Sequence, residues 1–110
     1  MTIFILTSRY VRPLVEVDAK LSDHIAWVTR QYREGRILVS GRQTPPVGGA
    51  IVMVAANESE VFRELSSDPF YAEGLADYSC IAFEQTMAPR RSQAYELFID
   101  STSRVKGVVD

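Results

Sequence analysis

The sequence holds one cysteine, Cys80, one histidine, His24, and one tryptophan, Trp27. A single thiol closes no internal disulfide, and one histidine beside one cysteine builds no Cys/His zinc site, so no metal is expected. A lone cysteine suits a reducing compartment, and a cytoplasmic location is expected. Excess basic charge is also missing. The formal net charge is −2, unlike the basic footprint that neutralises phosphates, so no nucleic-acid partner is expected. Arg90-Arg91, after Pro89, reads as a solvated strand end or as a phosphate contact. No apolar run approaches the roughly 18 residues of a membrane span, so no membrane partner is expected. The segment Met1 to Leu6 is apolar but lacks a basic flank and a cleavage pattern, and it reads as a strand rather than a signal peptide. A P-loop, a dinucleotide fingerprint and a Ser-His-Asp motif are all absent, and no cofactor is expected.

What is present is an ordinary globular composition: 110 residues, 46% hydrophobic and 24% charged. That length buries a core as a single domain. Residues 1–100 read as the domain and 101–110 as a C-terminal tail. A first strand is expected over about residues 2–9, rich in β-branched and aromatic types. A helix follows the break at Arg12-Pro13. Val17, Leu21, His24 and Val28 fall on one face of it. Asp18 is the expected N-cap, with Ser22 or Asp23 serving a later start, and Gly35 ends the helix in a left-handed turn. Ile37 to Ser40 and Ala50 to Ala55 form a hairpin around the loop Thr44 to Gly49. Asn57 and Glu60 mark the start of a second helix with Val61, Phe62 and Leu65 inside, which Pro69 stops. A fourth strand is expected from about Tyr78 to Met87. Gln93 to Asp100 reads as a short helix or an added strand.

The order βαββαβ is the split βαβ, ferredoxin-like α+β sandwich. Its helices cover one sheet face, yet Ile3 and Ile5 oppose Phe4 and Leu6, and Val52 and Val54 oppose Ile51 and Met53. The uncovered face would then be a large apolar patch, which monomers rarely carry. A homodimer packed through that face is expected; the alternative is that the C-terminal segment folds back over it.

His24 is the polar member of an apolar stripe, so it needs a hydrogen-bond partner. Imidazole is also the side chain best placed for acid–base work near neutral pH. The competing reading is a buried histidine satisfied by a backbone carbonyl. Asp68 lies at the exit of the second helix. Side-by-side helices bring such a carboxylate to His24, where it fixes the tautomer; otherwise it is a local cap before Pro69. Ser40 and Arg42 flank Gly41 and point to the same side, where Arg42 can hold a carboxylate or phenolate; a solvated strand-end arginine is the alternative. Gly41 either admits a ligand closely or opens the loop. Trp27, Phe70 and Tyr71 wall an apolar pocket or belong to the core. Cys80 reads as an inert buried thiol.

Two stretches carry a family likeness: His24-Ile25-Ala26-Trp27 through Gly35 to Ser40-Gly41, and Asp68-Pro69-Phe70-Tyr71-Ala72-Glu73-Gly74-Leu75. Over about residues 1–88 the chain resembles the YCII-related family. The resemblance implies a dimeric α/β-barrel and an active-site His-Asp pair, here His24 and Asp68. It also implies small-molecule chemistry, since a few members eliminate hydrogen chloride from chlorinated, hydroxylated aromatics. Arg42 departs from the pattern, which usually places proline after the glycine. The segment after Met87 exceeds the family core and reads as a lid or dimer strap. The expected function is a cofactor-independent enzyme for elimination or isomerisation of a small cyclic or aromatic substrate. His24 and Asp68 would be catalytic, and Ser40, Arg42 and Phe70 would contact substrate. A non-catalytic dimeric binding or structural domain is the alternative.

Overall fold

The computed structural model describes residues 1–88. The chain runs β1 (Thr2–Tyr10), α1 (Leu14–Ala19), α2 (Leu21–Arg33), β2 (Ile37–Arg42), β3 (Gly49–Val54), α3 (Glu58–Leu65), α4 (Pro69–Ala72) and β4 (Ala76–Glu84). The strands form one antiparallel sheet in the order β2-β3-β1-β4. This is the ferredoxin-like α+β fold, with each helix of the simple βαββαβ scheme divided in two. The segments Gln93 to Asp100 and 101–110, the Arg90-Arg91 pair and any lid or strap lie outside the described residues. No helix among the described residues is long and apolar enough to cross a membrane.

Local chemistry explains most boundaries. Gly35 takes φ 76° after α2. Its N–H donates to the Tyr32 carbonyl at 3.0 Å and that of Arg36 to Gln31 at 2.9 Å, the Schellman pattern. The Asn57 side chain caps α3 by accepting from the Glu60 N–H at 2.9 Å. Asp18 is not an N-cap. Helix formation begins earlier, at Leu14 behind Pro13, so Asp18 lies within α1. Pro69 stops nothing directly: α3 ends at Leu65, and Pro69 opens the one-turn α4, where its missing N–H costs no bond. β4 ends at Glu84, and Met87 lies beyond it, exposed.

Beneath the helices, the first core cluster centres on Phe4, Leu6, Trp27, Ile37, Met53 and Leu65. A second, smaller cluster joins Val17, Phe70, Leu75 and Ala76. Since successive side chains alternate across a sheet, Ile3 and Ile5 face away from the helices. Cross-strand register then builds the row Val39–Val52–Ile5–Ile81 over all four strands on the face away from the helices, where Ile3 and Val54 are buried and Ile5 and Val52 half-buried. Ile81 is 63% exposed and Val39 57%.

β2 carries one irregularity that matters to the site. Ile37 pairs with Met53 and Val39 with Val52, so Leu38 is an extra residue. A bulge of this kind reverses the alternation beyond it. Ile37 enters the core, and Ser40 and Arg42 then turn to the same helix-covered side.

Candidate functional site

Leu21, His24 and Val28 of the α2 stripe are half-buried, Val28 against the first core cluster and Leu21 against the second. They line a cavity of about 170 Å³ between the helices and one end of the sheet. Ile51 from the first core cluster and Phe70 from the second also line it. Its polar wall comes from Ser8 and Tyr10 of β1, Ser40 and Arg42 of β2, and Tyr78 of β4. A cavity of about 150 Å³ is enough to hold benzene, so this space suits a ligand of one ring.

His24 Nδ1 lies 2.8 Å from Asp68 Oδ1. Two features bring them together. Trp27, one turn along α2, donates its indole N–H to the Glu64 carbonyl at 3.1 Å and to Ser67 Oγ at 3.0 Å. That fastens α2 to the turn that carries Asp68. Phe70, two residues after Asp68, stacks on the imidazole with centroids 4.0 Å apart and planes 5° from parallel.

Asp68 is fully buried. A carboxylate in that position must be met by donors. Oδ1 accepts from His24 and from the Phe70 N–H at 3.2 Å, and Oδ2 accepts from the Tyr78 hydroxyl at 2.8 Å. Both sequence-level readings of Asp68 are therefore realised at once: it caps α4 and it holds the histidine. Because the carboxylate can only accept, Nδ1 bears a proton, which in the neutral ring leaves the lone pair on Nε2. Nε2 has no hydrogen-bond partner among the described residues, and the ring lines the cavity.

Tyr78, like Ser8 and Tyr10, is a residue that sequence reasoning missed, having been read only as the start of a strand. Burial, reinforced by the neighbouring Asp68 charge, pushes its phenol well above the ordinary value. The hydroxyl stays protonated and donates. No signal in the sequence placed it: only the sheet register sets Tyr78 opposite Ser8 on β1, where the apolar alternation of Phe4 and Leu6 turns polar.

Ser40 hydrogen-bonds Tyr32 Oη at 3.2 Å. Arg42 donates from Nε to Tyr10 Oη at 3.1 Å and from Nη2 to Asp18 Oδ1 at 2.8 Å. These bonds, that to Asp18 foremost, raise the guanidinium pKa further, so its charge is permanent. The aromatics separate: Phe70 lines the cavity, Trp27 is core, and Tyr71 lies outside, packed on Phe62 and Tyr78. Cys80 packs against the core, and burial raises its thiol pKa. Gly41 contributes to the cavity wall.

Among known families, residues 1–84 match the YCII-related domain. Among solved structures, the chain resembles 5-chloro-2-hydroxyhydroquinone dehydrochlorinase from Burkholderia phenoliruptrix, determined in complex with 2,5-dihydroxybenzoquinone. The TM-score is 0.56 at 23% identity, over 77% of this chain and 95% of that one. This likeness is one of fold. No curated protein matches the chain.

Proposed function

The chain belongs to the YCII-related family, and from that premise we propose that it is a small cofactor-independent enzyme that moves a proton on a small cyclic or aromatic compound. The observation that carries this reading is the state of His24. Its Nδ1 is held by a buried carboxylate, and its Nε2, at a one-ring cavity, has no partner among the described residues. That is the arrangement of an oriented general base.

In an elimination, Nε2 takes a proton from a ring carbon. The C–H electron pair becomes the new π bond, and the leaving group departs with its own pair. Asp68 stabilises the imidazolium that forms. In an isomerisation, the same proton returns to a different carbon. Tyr78 secures Asp68, Phe70 holds the imidazole plane, and Ser40 and Arg42 bind polar substituents. A fold neighbour named as a dehydrochlorinase of a chlorinated hydroxyhydroquinone directs the substrate search to oxygenated rings.

The working unit in this reading is a homodimer closed through the uncovered sheet face, supported by the apolar row across it. A single cysteine kept as the thiol fits operation in the cytoplasm. The rival reading, a non-catalytic binding or structural domain, calls for an imidazole with both nitrogens satisfied by protein. An Nε2 with no partner among the described residues weighs against it.

The test is a panel of chlorinated hydroquinones and small lactones, with chloride release and ring absorbance followed together. His24→Ala and Asp68→Asn are expected to abolish turnover while circular dichroism and the oligomeric state stay unchanged. Full activity in His24→Ala ends the mechanism.

A further inference from the structure

We propose that Arg42 makes this pocket selective for a small planar ring bearing a carboxylate, and that Asp18 occupies the guanidinium as an internal stand-in for that carboxylate until the ligand arrives. The inference rests on the reading above only in taking the cavity as the ligand site. It adds the ligand's charge and the element that competes with it.

The charge pattern of the wall is the first argument. Among the described lining residues Arg42 is the only lysine or arginine, and none is an aspartate or glutamate. The remaining wall is apolar or carries hydroxyls and the imidazole. A permanent cation therefore stands at the wall of a partly open pocket whose described lining carries no carboxylate, and such a cation favours an anionic ligand group.

The second argument is how Asp18 holds it. The contact is a single one, Nη2 to Oδ1 at 2.8 Å, with side chains 33% and 46% exposed. Ion pairs this open to water hold weakly. Nε is engaged by Tyr10, and Nη1 has no partner among the described residues. A planar fork in this state offers a ligand carboxylate two parallel bonds where Asp18 takes one. Asp18 also belongs to α1, a six-residue helix separated from α2 at Lys20, so releasing it leaves the His24 helix undisturbed. With a carboxylate on Arg42, the ring lies among Leu21, Val28 and Ile51 in the same cavity as His24.

The experiment titrates the isotope-labelled full chain with benzoate and with benzamide, a neutral probe of the same shape, reading the His24 ring resonances. Benzoate is expected to bind roughly tenfold or more tightly than benzamide, as a hydrogen bond to a charged group implies. Arg42→Gln should erase that preference. Asp18→Asn should tighten benzoate about threefold, the scale of an exposed ion pair, and leave benzamide unchanged. Equal binding of both probes with shifts at His24 overturns the charge selectivity while leaving the acid–base pocket standing. Benzoate binding that survives Arg42→Gln overturns the assignment of the residue. Absence of any shift at His24 with either probe overturns both readings. Should Arg42→Gln fail to fold, the Asp18→Asn comparison decides alone, and unchanged or weaker benzoate binding there overturns the proposal.

Discussion

The phenyl ring of Phe70 lies stacked on the imidazole of His24, 4.0 Å away between centroids with the planes 5° from parallel. Asp68 stands two residues before Phe70 and bonds the same imidazole edge-on. One short segment of chain thus constrains the ring from its face and from its Nδ1 edge. Phe70 is 3% exposed, so Phe70→Ala removes a buried aromatic and should cost about 3–5 kcal/mol in urea unfolding. In Phe70→Leu the protein should fold, with the His24 ring protons moving downfield as the ring current above them disappears. Unchanged His24 shifts would contradict the stack.

Asp68 gathers three donors, from His24, Phe70 and Tyr78. Asp68→Ala leaves them unmet in a buried place and should destabilise by about 3 kcal/mol or more, at about 1–3 kcal/mol per orphaned group. Asp68→Asn should cost less, because the amide oxygen still accepts and the Tyr78 hydroxyl can turn to receive the amide N–H. In the wild type the His24 Nδ1 proton should be a slowly exchanging resonance, and Asp68→Ala should lose it.

Tyr78 gives a pH signature. Its phenol is raised above the ordinary value of 10.0, first by burial and then by the Asp68 charge. Below that ordinary value both folded and unfolded chains hold the proton, and its stabilising contribution is complete. Above it the unfolded chain releases the proton while the native state keeps it. Stability therefore declines as pH rises from about 10 towards the native value. Urea midpoints measured from pH 8 to 11 should fall in the wild type, and Tyr78→Phe should flatten that fall while lowering stability at neutral pH by about 1–3 kcal/mol.

Two glycines of the β2–β3 hairpin should behave oppositely. A Cβ at Gly48 would stand 1.7 Å from the Ser8 carbonyl oxygen, whereas one at Gly41 meets nothing within 4 Å. Gly48→Ala must push the loop off β1, disturbing the Gln43 side-chain bonds to the Ser8 and Gly49 carbonyls, each 2.9 Å. A loss of about 1–3 kcal/mol is expected. Gly41→Ala should stay within about 0.5 kcal/mol of wild type. Thermal unfolding of the two variants side by side checks the contrast.

The uncovered sheet face offers a direct test of assembly. Ile81 is 63% exposed and stands in register with Ile5 at the end of the apolar row. Ile81→Lys places a charge in the proposed dimer contact and should shift sedimentation from dimer to monomer with the fold intact. A wild-type chain that sediments as a monomer throughout would remove the dimer from the reading.

Much of the architecture was legible in the residues, because short-range chemistry sets it. Gly35 and Asn57 mark helix ends through the conformation and hydrogen bonding of a few neighbouring residues. Apolar groups on both sides of β1 and β3 announce a sheet with two faces to satisfy. The contact of His24 with Asp68 was legible as one of two readings, the other being a histidine satisfied by a backbone carbonyl and an aspartate that only caps a turn; the two side chains meet within the helical layer. The split of the first helical segment at Lys20, which leaves Asp18 inside α1 and not at a cap, was not legible.

What the sequence determined by itself, then, was the order of strands and helical segments, the helix ends at Gly35 and Asn57, and the candidacy of His24 and Asp68. Tertiary structure alone decided which way β2 turns its last residues, because one extra residue at Leu38 reverses their parity and no local pattern announces it. Cross-strand register likewise put Tyr78 beneath Asp68, and folding brought Asp18 across to Arg42. Periodicity records which face a side chain takes within its own element. Distances between elements depend on register and packing, and those exist only once the chain has closed on itself.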